Sequence, residues 1–143
     1  MKRLMVLVFA VFAAASSISA RLGDSSDQIE NSYGEILQRR LRDNGTVTMV
    51  YKKDRALFFV TFADDRSISE SYSHVKGTDL SEREIMGFLK ANAARGEWRA
   101  SNTGTTRRFI RSDGKAEAIY ESVNGRPALT VRELNSEQRR GVQ

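Results

Sequence analysis

The chain has no cysteine, one proline, one histidine and one tryptophan in 143 residues. The missing cysteine excludes disulfides, a thiol nucleophile, thiolate metal ligands and a lipid-bearing residue, so packing must hold the fold. With His74 as the only histidine, a zinc site would lack the Cys/His set it normally draws on. Glycine-rich phosphate loops, a G-x-S-x-G elbow and EF-hand spacing are also missing. Gly104 and Gly114 stand alone as turn glycines. No cofactor and no metal are expected. The one proline, Pro127, falls at the start of a strand-like run, where a missing N–H is tolerated.

What is present begins with an export pattern. Lys2 and Arg3 precede twelve apolar residues, Leu4 to Ala15, and Ser16-Ser17-Ile18-Ser19-Ala20 supplies small residues around a cut after Ala20. This is the three-part layout of a secretory signal peptide, and the run is shorter than the roughly 20 residues a spanning helix needs. Residues 1–20 are therefore read as a signal peptide, with a periplasmic or secreted destination and no transmembrane helix after cleavage. Without Lys2 and Arg3, 21 of the 23 basic residues remain against 18 acidic ones, a net +3. Such a mild excess favours solubility and only weak attraction to anionic surfaces.

Beyond the signal, Leu57-Phe58-Phe59-Val60-Thr61-Phe62 is the densest apolar and β-branched run. It is too short for a helix and bounded by turn residues, so it reads as a buried strand. Phe58, Val60 and Phe62 form its more apolar face, expected to meet a helix containing Ile85, Phe88 and Leu89. Thr46–Tyr51 and Ser67–Val75 flank it as strands. In the second, Ile68, Glu70, Tyr72 and His74 share a face, and Ser67, Ser69, Ser71 and Ser73 share the other. Two helices carry capping signals. Ser25 with Gln28 opens a short one over Ser26 to Tyr33, stopped by Gly34. Ser81 with Glu84 opens a second that ends near Ala94. Glu35 to Arg42 fits either a helical face or a loop. Thr106–Arg111, Lys115–Ser122 and Ala128–Glu133 read as three further strands, the last two joined by the hairpin signal Asn124-Gly125. The predicted fold is α+β, an antiparallel sheet of about six strands with two helices packed on one face, in the order helix-βββ-helix-βββ. Residues 21–134 form one domain and residues 135–143 a polar, flexible tail.

Candidate chemistry is sparse. His74 is the one natural general base, but no partner stands at catalytic spacing in the sequence. A small periplasmic hydrolase using His74 is thus an alternative rather than the leading reading. Arginines are the notable enrichment. Arg39, Arg40, Arg107, Arg108 and Arg111 are candidate anion-binding residues for phosphate or an anionic polymer. Glu117 and Glu121 can pair with Arg107 and Arg108 across a hairpin, and charged side chains also guard strand edges. Export removes most nucleic acid from reach, so nucleic acid is not the expected partner.

Leu22-Gly23-Asp24-Ser25, then Ile29, then Tyr33-Gly34, followed by a meander, resembles the start of BamE-like small outer-membrane lipoproteins of the SmpA/OmlA group. It is also similar to the modules of β-lactamase inhibitory proteins. The resemblance covers about Leu22 to Tyr72, and the chain departs from it in lacking the acylated cysteine and in having Ile36 where a proline is common. The resemblance implies a short helical segment on an antiparallel sheet and action by binding proteins. The sequence reading is therefore an exported non-enzymatic binding module for a protein or a cell-envelope component. Binding of anionic polymer through the arginines is kept as an alternative beside the hydrolase.

Overall fold

A computed structural model describes residues 21–101, 104 and 106–141. The segment read as a signal peptide lies outside these residues. The elements are α1 (Ser26–Tyr33), β1 (Glu35–Leu41), β2 (Val47–Lys53), β3 (Ala56–Ala63), β4 (Arg66–His74), α2 (Glu82–Ala91), β5 (Trp98–Ala100), β6 (Arg107–Arg111), β7 (Ala116–Val123), β8 (Arg126–Glu133) and α3 (Ser136–Arg140).

Eight strands form one antiparallel sheet in the order β1-β2-β3-β4-β8-β7-β6-β5. The predicted helix-βββ-helix-βββ sheet of about six strands with two helices is therefore corrected to eight strands and three short helices. Two strands account for the difference. The first is β1, whose seven residues are all exposed, so no face is apolar enough to leave a period in the sequence. Its position comes from backbone pairing with β2, which is irregular between Ile36 and Gln38. The second is β5, only three residues long, held by the pairs Trp98–Arg111 and Ala100–Phe109. The stretch read as a polar tail carries the single-turn helix α3, all of it exposed.

The strand order is symmetric about its centre. A helix followed by a four-stranded meander occurs twice, and the last strands of the two meanders, β4 and β8, pair from Ser69–Arg132 to Ser73–Ala128. Both helices start on the same device. Ser25 and Ser81 each accept a hydrogen bond from the backbone N–H three residues on, while Gln28 and Glu84 accept from the cap N–H. Four residues after each cap stands a buried isoleucine, Ile29 or Ile85, and four later a second buried side chain, Tyr33 or Leu89. These positions share a helical face and anchor each helix to its half of the sheet.

Two hydrophobic clusters result. Under α1, Ile29 and Tyr33 pack on Tyr51, Phe58, Val60 and Phe62. Under α2, Leu80, Ile85 and Leu89 pack on Phe109, Ala118, Leu129 and Val131. The expectation that Phe58, Val60 and Phe62 meet α2 is thus corrected, since their cluster lies under α1. Tyr72 and Phe88 touch both clusters and mark the seam between them. The other sheet face is polar. Thr48 and Thr61 hydroxyls lie 3.3 Å apart, Thr130 donates to Ser71 across 3.0 Å, and Phe59 is 40% exposed.

A bulge changes the serine face. Thr61 pairs with Ser69 but Phe62 pairs with Ser67, so Ile68 is the extra residue. Ser67 is thereby turned to the helix side, where its hydroxyl accepts from Gly23 N–H at 2.9 Å and donates to the carbonyl of Arg21 at 3.0 Å. Strict alternation had placed it with Ser69, Ser71 and Ser73.

Candidate functional site

The seam between the clusters opens as a groove of about 900 Å³, within the size range of small-molecule sites. Its floor is a run of stacked rings contributed by four elements. Tyr33 in the last turn of α1 lies face to face with Phe58 of β3, centroids 3.8 Å apart and planes within 10°. Phe58 continues to Tyr72 of β4 at 5.3 Å, and Tyr72 to Phe88 of α2 at 5.5 Å. Strand register puts Phe58 opposite Tyr72, and each helix supplies one ring from the end of its stack.

One wall is a helix face. Glu84, Gly87, Phe88 and Ala91 all line the groove, at the i, i+3, i+4 and i+7 spacing of one side of α2. Gly87 has an ordinary helical backbone, and a Cβ there would meet nothing within 4 Å. Neither backbone conformation nor close packing calls for glycine, which weakens a helix by about 1 kcal/mol relative to alanine.

The opposite rim is basic. The β2–β3 turn brings Lys53 and Arg55, with Asp54 between them at φ +53°, and the segment after β4 brings Lys76. Lys53 Nζ donates to the carbonyl of Ser32 at 2.9 Å, near the negative end of α1. Among the described residues no carboxylate lies within ion-pair distance of Lys53, Arg55 or Lys76.

His74 sits at the mouth of the groove and is bonded on both ring nitrogens. Nδ1 lies 2.7 Å from Thr78 Oγ1 and Nε2 2.6 Å from Glu84 Oε1. The Glu84 carboxylate also accepts from Tyr72 OH at 3.0 Å and from the N–H and hydroxyl of Ser81 at 2.8 and 2.9 Å. Partial burial pushes the Glu84 pKa up, but the bonds from His74, Ser81 and Tyr72 outweigh it and hold the group down at about 2. Burial, followed by the bond to Glu84, raises the Tyr72 hydroxyl to about 12.

The five arginines read as an anion site are not brought together. Arg39 and Arg40 lie on edge strand β1, whereas Arg107, Arg108 and Arg111 lie on β6, beside the opposite edge. Arg40 borders a separate shallow depression at the turn after β1. The β6 arginines are engaged. Arg107 pairs with Glu82, and Arg108 Nε donates to Glu117 Oε2 at 2.7 Å. Arg111 bonds Asp113 at 3.0 Å and the carbonyl of Asn92 at 3.1 Å. Glu117 also accepts from Arg132 Nε at 2.6 Å. Among the described residues, no three His, Cys, Asp or Glu side chains converge to hold a metal, and no helix is long and apolar enough to cross a membrane.

Sequence reasoning missed the groove because each of its parts has an ordinary explanation alone. Tyr33 and Phe88 read as core and Glu84 as a cap. Arg55, with Lys52 and Lys53, read as a charged hairpin loop grouped with the Arg39-Arg40 cluster rather than with the aromatic residues. The one overlooked signal is Gly87, a glycine inside a strongly predicted helix.

No family model matches the chain, and no characterised protein matches it in sequence. Two solved structures show a distant likeness to it. One is a cysteine-rich secretory protein from Staphylococcus aureus subsp. aureus Mu50, at 9% identity and a TM-score of 0.46, covering 78% of this chain and 44% of that one. The other is an extracellular protein containing an SCP domain from Bacillus anthracis str. Ames, at 10% identity and a TM-score of 0.44, covering 93% and 49%. This chain spans less than half the length of either neighbour that it matches.

Proposed function

We propose that the chain is an exported, non-enzymatic binding module that receives a protein or a cell-envelope component in the groove between α1 and α2. Export rests on the charged, apolar and small-residue pattern of residues 1–20. The helix-then-meander layout, on which the resemblance to BamE-like and β-lactamase inhibitory modules rests, accords with a binding role. The observation that carries the reading is Gly87, which keeps one wall of an aromatic-floored groove open at a cost to its own helix. The test uses wild type and Gly87→Leu as immobilised baits for a cell-envelope extract. A component held by the wild type and lost by the variant supports the reading. Identical retention by the two removes it.

A second reading is favoured by one arrangement, the Thr78 hydroxyl, His74 imidazole and Glu84 carboxylate in hydrogen-bonded sequence. In a hydrolase these would be nucleophile, base and orienting group. The same bonds also tie residues 76–79 to the start of α2, which is reason enough for them. Ester turnover abolished by His74→Ala would favour the hydrolase. Turnover that survives the substitution, or none at all, leaves the bonds a structural role.

A further inference from the structure

We propose that the occupant of the groove is a single-chain anionic amphiphile, a long-chain carboxylate. Its hydrocarbon tail lies along Phe58, Tyr72 and Phe88, and its head group faces Arg55 and Lys76. The inference rests on the groove being the binding site, and it adds the chemistry of what binds.

Four observations lead there. The floor rings stack on one another with centroids 3.8 to 5.5 Å apart, so the faces turned toward neighbouring rings are occupied. Ring edges carry the positive part of the aromatic quadrupole and present hydrocarbon to a ligand. A sugar, which needs an open ring face, is disfavoured, and an apolar chain is not.

The polar groups of the site are already committed. His74 is bonded to Thr78 and Glu84, and Glu84 also to Tyr72 and Ser81. An extended peptide would bring amide groups that need partners, and the strands beneath are paired on both sides at β3 and β4. A hydrocarbon chain brings none.

Charge supplies the polarity of the ligand. Arg55 and Lys76 stand at the rim without a carboxylate in ion-pair range among the described residues. Of the two carboxylates that line the groove, Glu84 is satisfied by its own donors, and Asp54 stands in the turn between Lys53 and Arg55, where the cations of the rim outnumber it. Arg55 already acts on the interior, because its charge lowers the otherwise raised pKa of the Tyr72 hydroxyl. An anionic head group therefore gains at this rim and a cationic one does not.

The walls provide the room. Ala56 of β3 and Gly87 and Ala91 of α2 are small, and at Gly87 even a Cβ would find open space. A leucine there would project into the volume assigned to the tail without disturbing the core.

The experiment is calorimetric titration of the full chain from Arg21 with laurate, below the concentration at which laurate forms micelles. Dodecyltrimethylammonium is the control of equal length and opposite charge. Laurate is expected to bind one to one and at least tenfold more tightly than the cation. Affinity should rise about fourfold for each methylene added from octanoate to laurate. Gly87→Leu should lose at least tenfold with no fall in its melting temperature. Arg55→Ala with Lys76→Ala should weaken laurate at least tenfold without weakening the cation. Equal affinity for the two head groups, equal laurate affinity in Gly87→Leu, or no laurate binding overturns the proposal. If laurate fails while an envelope component is still lost on Gly87→Leu, the ligand class is wrong and the groove reading stands. If Gly87→Leu alters neither, both fall.

Discussion

Tyr33 of α1 donates its hydroxyl proton to the buried carboxylate of Glu70 on β4 across 2.7 Å, and so pins the helix that supplies the first ring of the groove. Glu70 is fully buried and also accepts from Ser67 at 3.3 Å. Burial raises its pKa from 4.5 to about 7. The bonds from Tyr33 and Ser67 oppose that rise, and the nearby charge of Asp24 adds to it.

A pH dependence follows with a definite sign. The folded state favours the protonated form of Glu70. Its contribution is therefore present in full below pH 4.5 and is lost as pH rises through about 7. The rise corresponds to about 3 kcal/mol between those limits. Urea unfolding at several pH values from 4.5 to 7.5 is expected to show this decline in the wild type and not in Glu70→Gln. Glu84 does not confuse the window, since its depressed pKa makes its contribution disappear only as pH falls toward about 2. An identical slope in the two proteins would remove Glu70 as the cause.

Tyr33→Phe isolates the hydrogen bond from the burial. One of the two bonds that hold the Glu70 pKa down is then gone. The carboxyl-carbon resonance of Glu70 is expected to titrate at higher pH in the variant than in the wild type. A midpoint that does not move would mean the bond is not made in solution.

The two faces of β3 give unequal substitutions. Phe62 is 3% exposed among Ile29, Tyr51 and Val60, whereas Phe59 is 40% exposed on the face away from the helices. Phe62→Ala is expected to cost about 3–5 kcal/mol. Phe59→Ala should cost about 1 kcal/mol, because a large part of the ring is already in water. Comparable losses from the two in urea unfolding would contradict the assignment of faces.

Glu117 is 1% exposed and is held between Arg108 and Arg132, which reach it from the strands on either side. Either arginine alone still neutralises it. Arg108→Ala and Arg132→Ala are each expected to cost about 1 kcal/mol, since the cations are partly exposed and screened. The double variant strands a buried carboxylate and should cost about 3–5 kcal/mol. A strictly additive double-mutant cycle would show that Glu117 is not isolated by the pair.

The parts of this fold that were legible in the sequence are those with a period or a cap. Ser25-x-x-Gln28 and Ser81-x-x-Glu84 marked both principal helices, and the alternation around Phe58, Val60 and Phe62 marked β3 and its inner face. Strand β1 was not legible, because a fully exposed edge strand has no buried face to impose a pattern. The repeated layout of helix and meander was hidden for a related reason. What the halves share is a cap, an isoleucine and one further buried position, Tyr33 against Leu89, too few identities to stand out. The same limit explains the groove. Tyr33 and Phe88 are 55 residues apart in the chain, and only the pairing of β3 with β4 puts Phe58 and Tyr72 between them. Of the arginine contacts, the pairing of Arg108 with Glu117 across the hairpin was open to sequence reasoning, whereas that of Arg107 with Glu82, 25 residues away on α2, is set by the fold.

Gly87 separates stability from function most cleanly. Gly87→Ala adds a methyl group where nothing lies within 4 Å and improves the helix. It is expected to stabilise the protein by about 0.5–1 kcal/mol. A destabilised Gly87→Ala in thermal unfolding would mean that the helix face is more crowded than the groove requires.

The decisive measurement uses amide resonances of the labelled protein, recorded as the component retained from an envelope extract is added back. Shifts are expected at Phe58, Tyr72, His74, Gly87 and Phe88 in the wild type, with β1 and the Thr48–Thr61 face unmoved, and no shifts in Gly87→Leu. Shifts confined to the opposite face, or the same shifts in Gly87→Leu, would show that the groove between α1 and α2 is not where the protein binds.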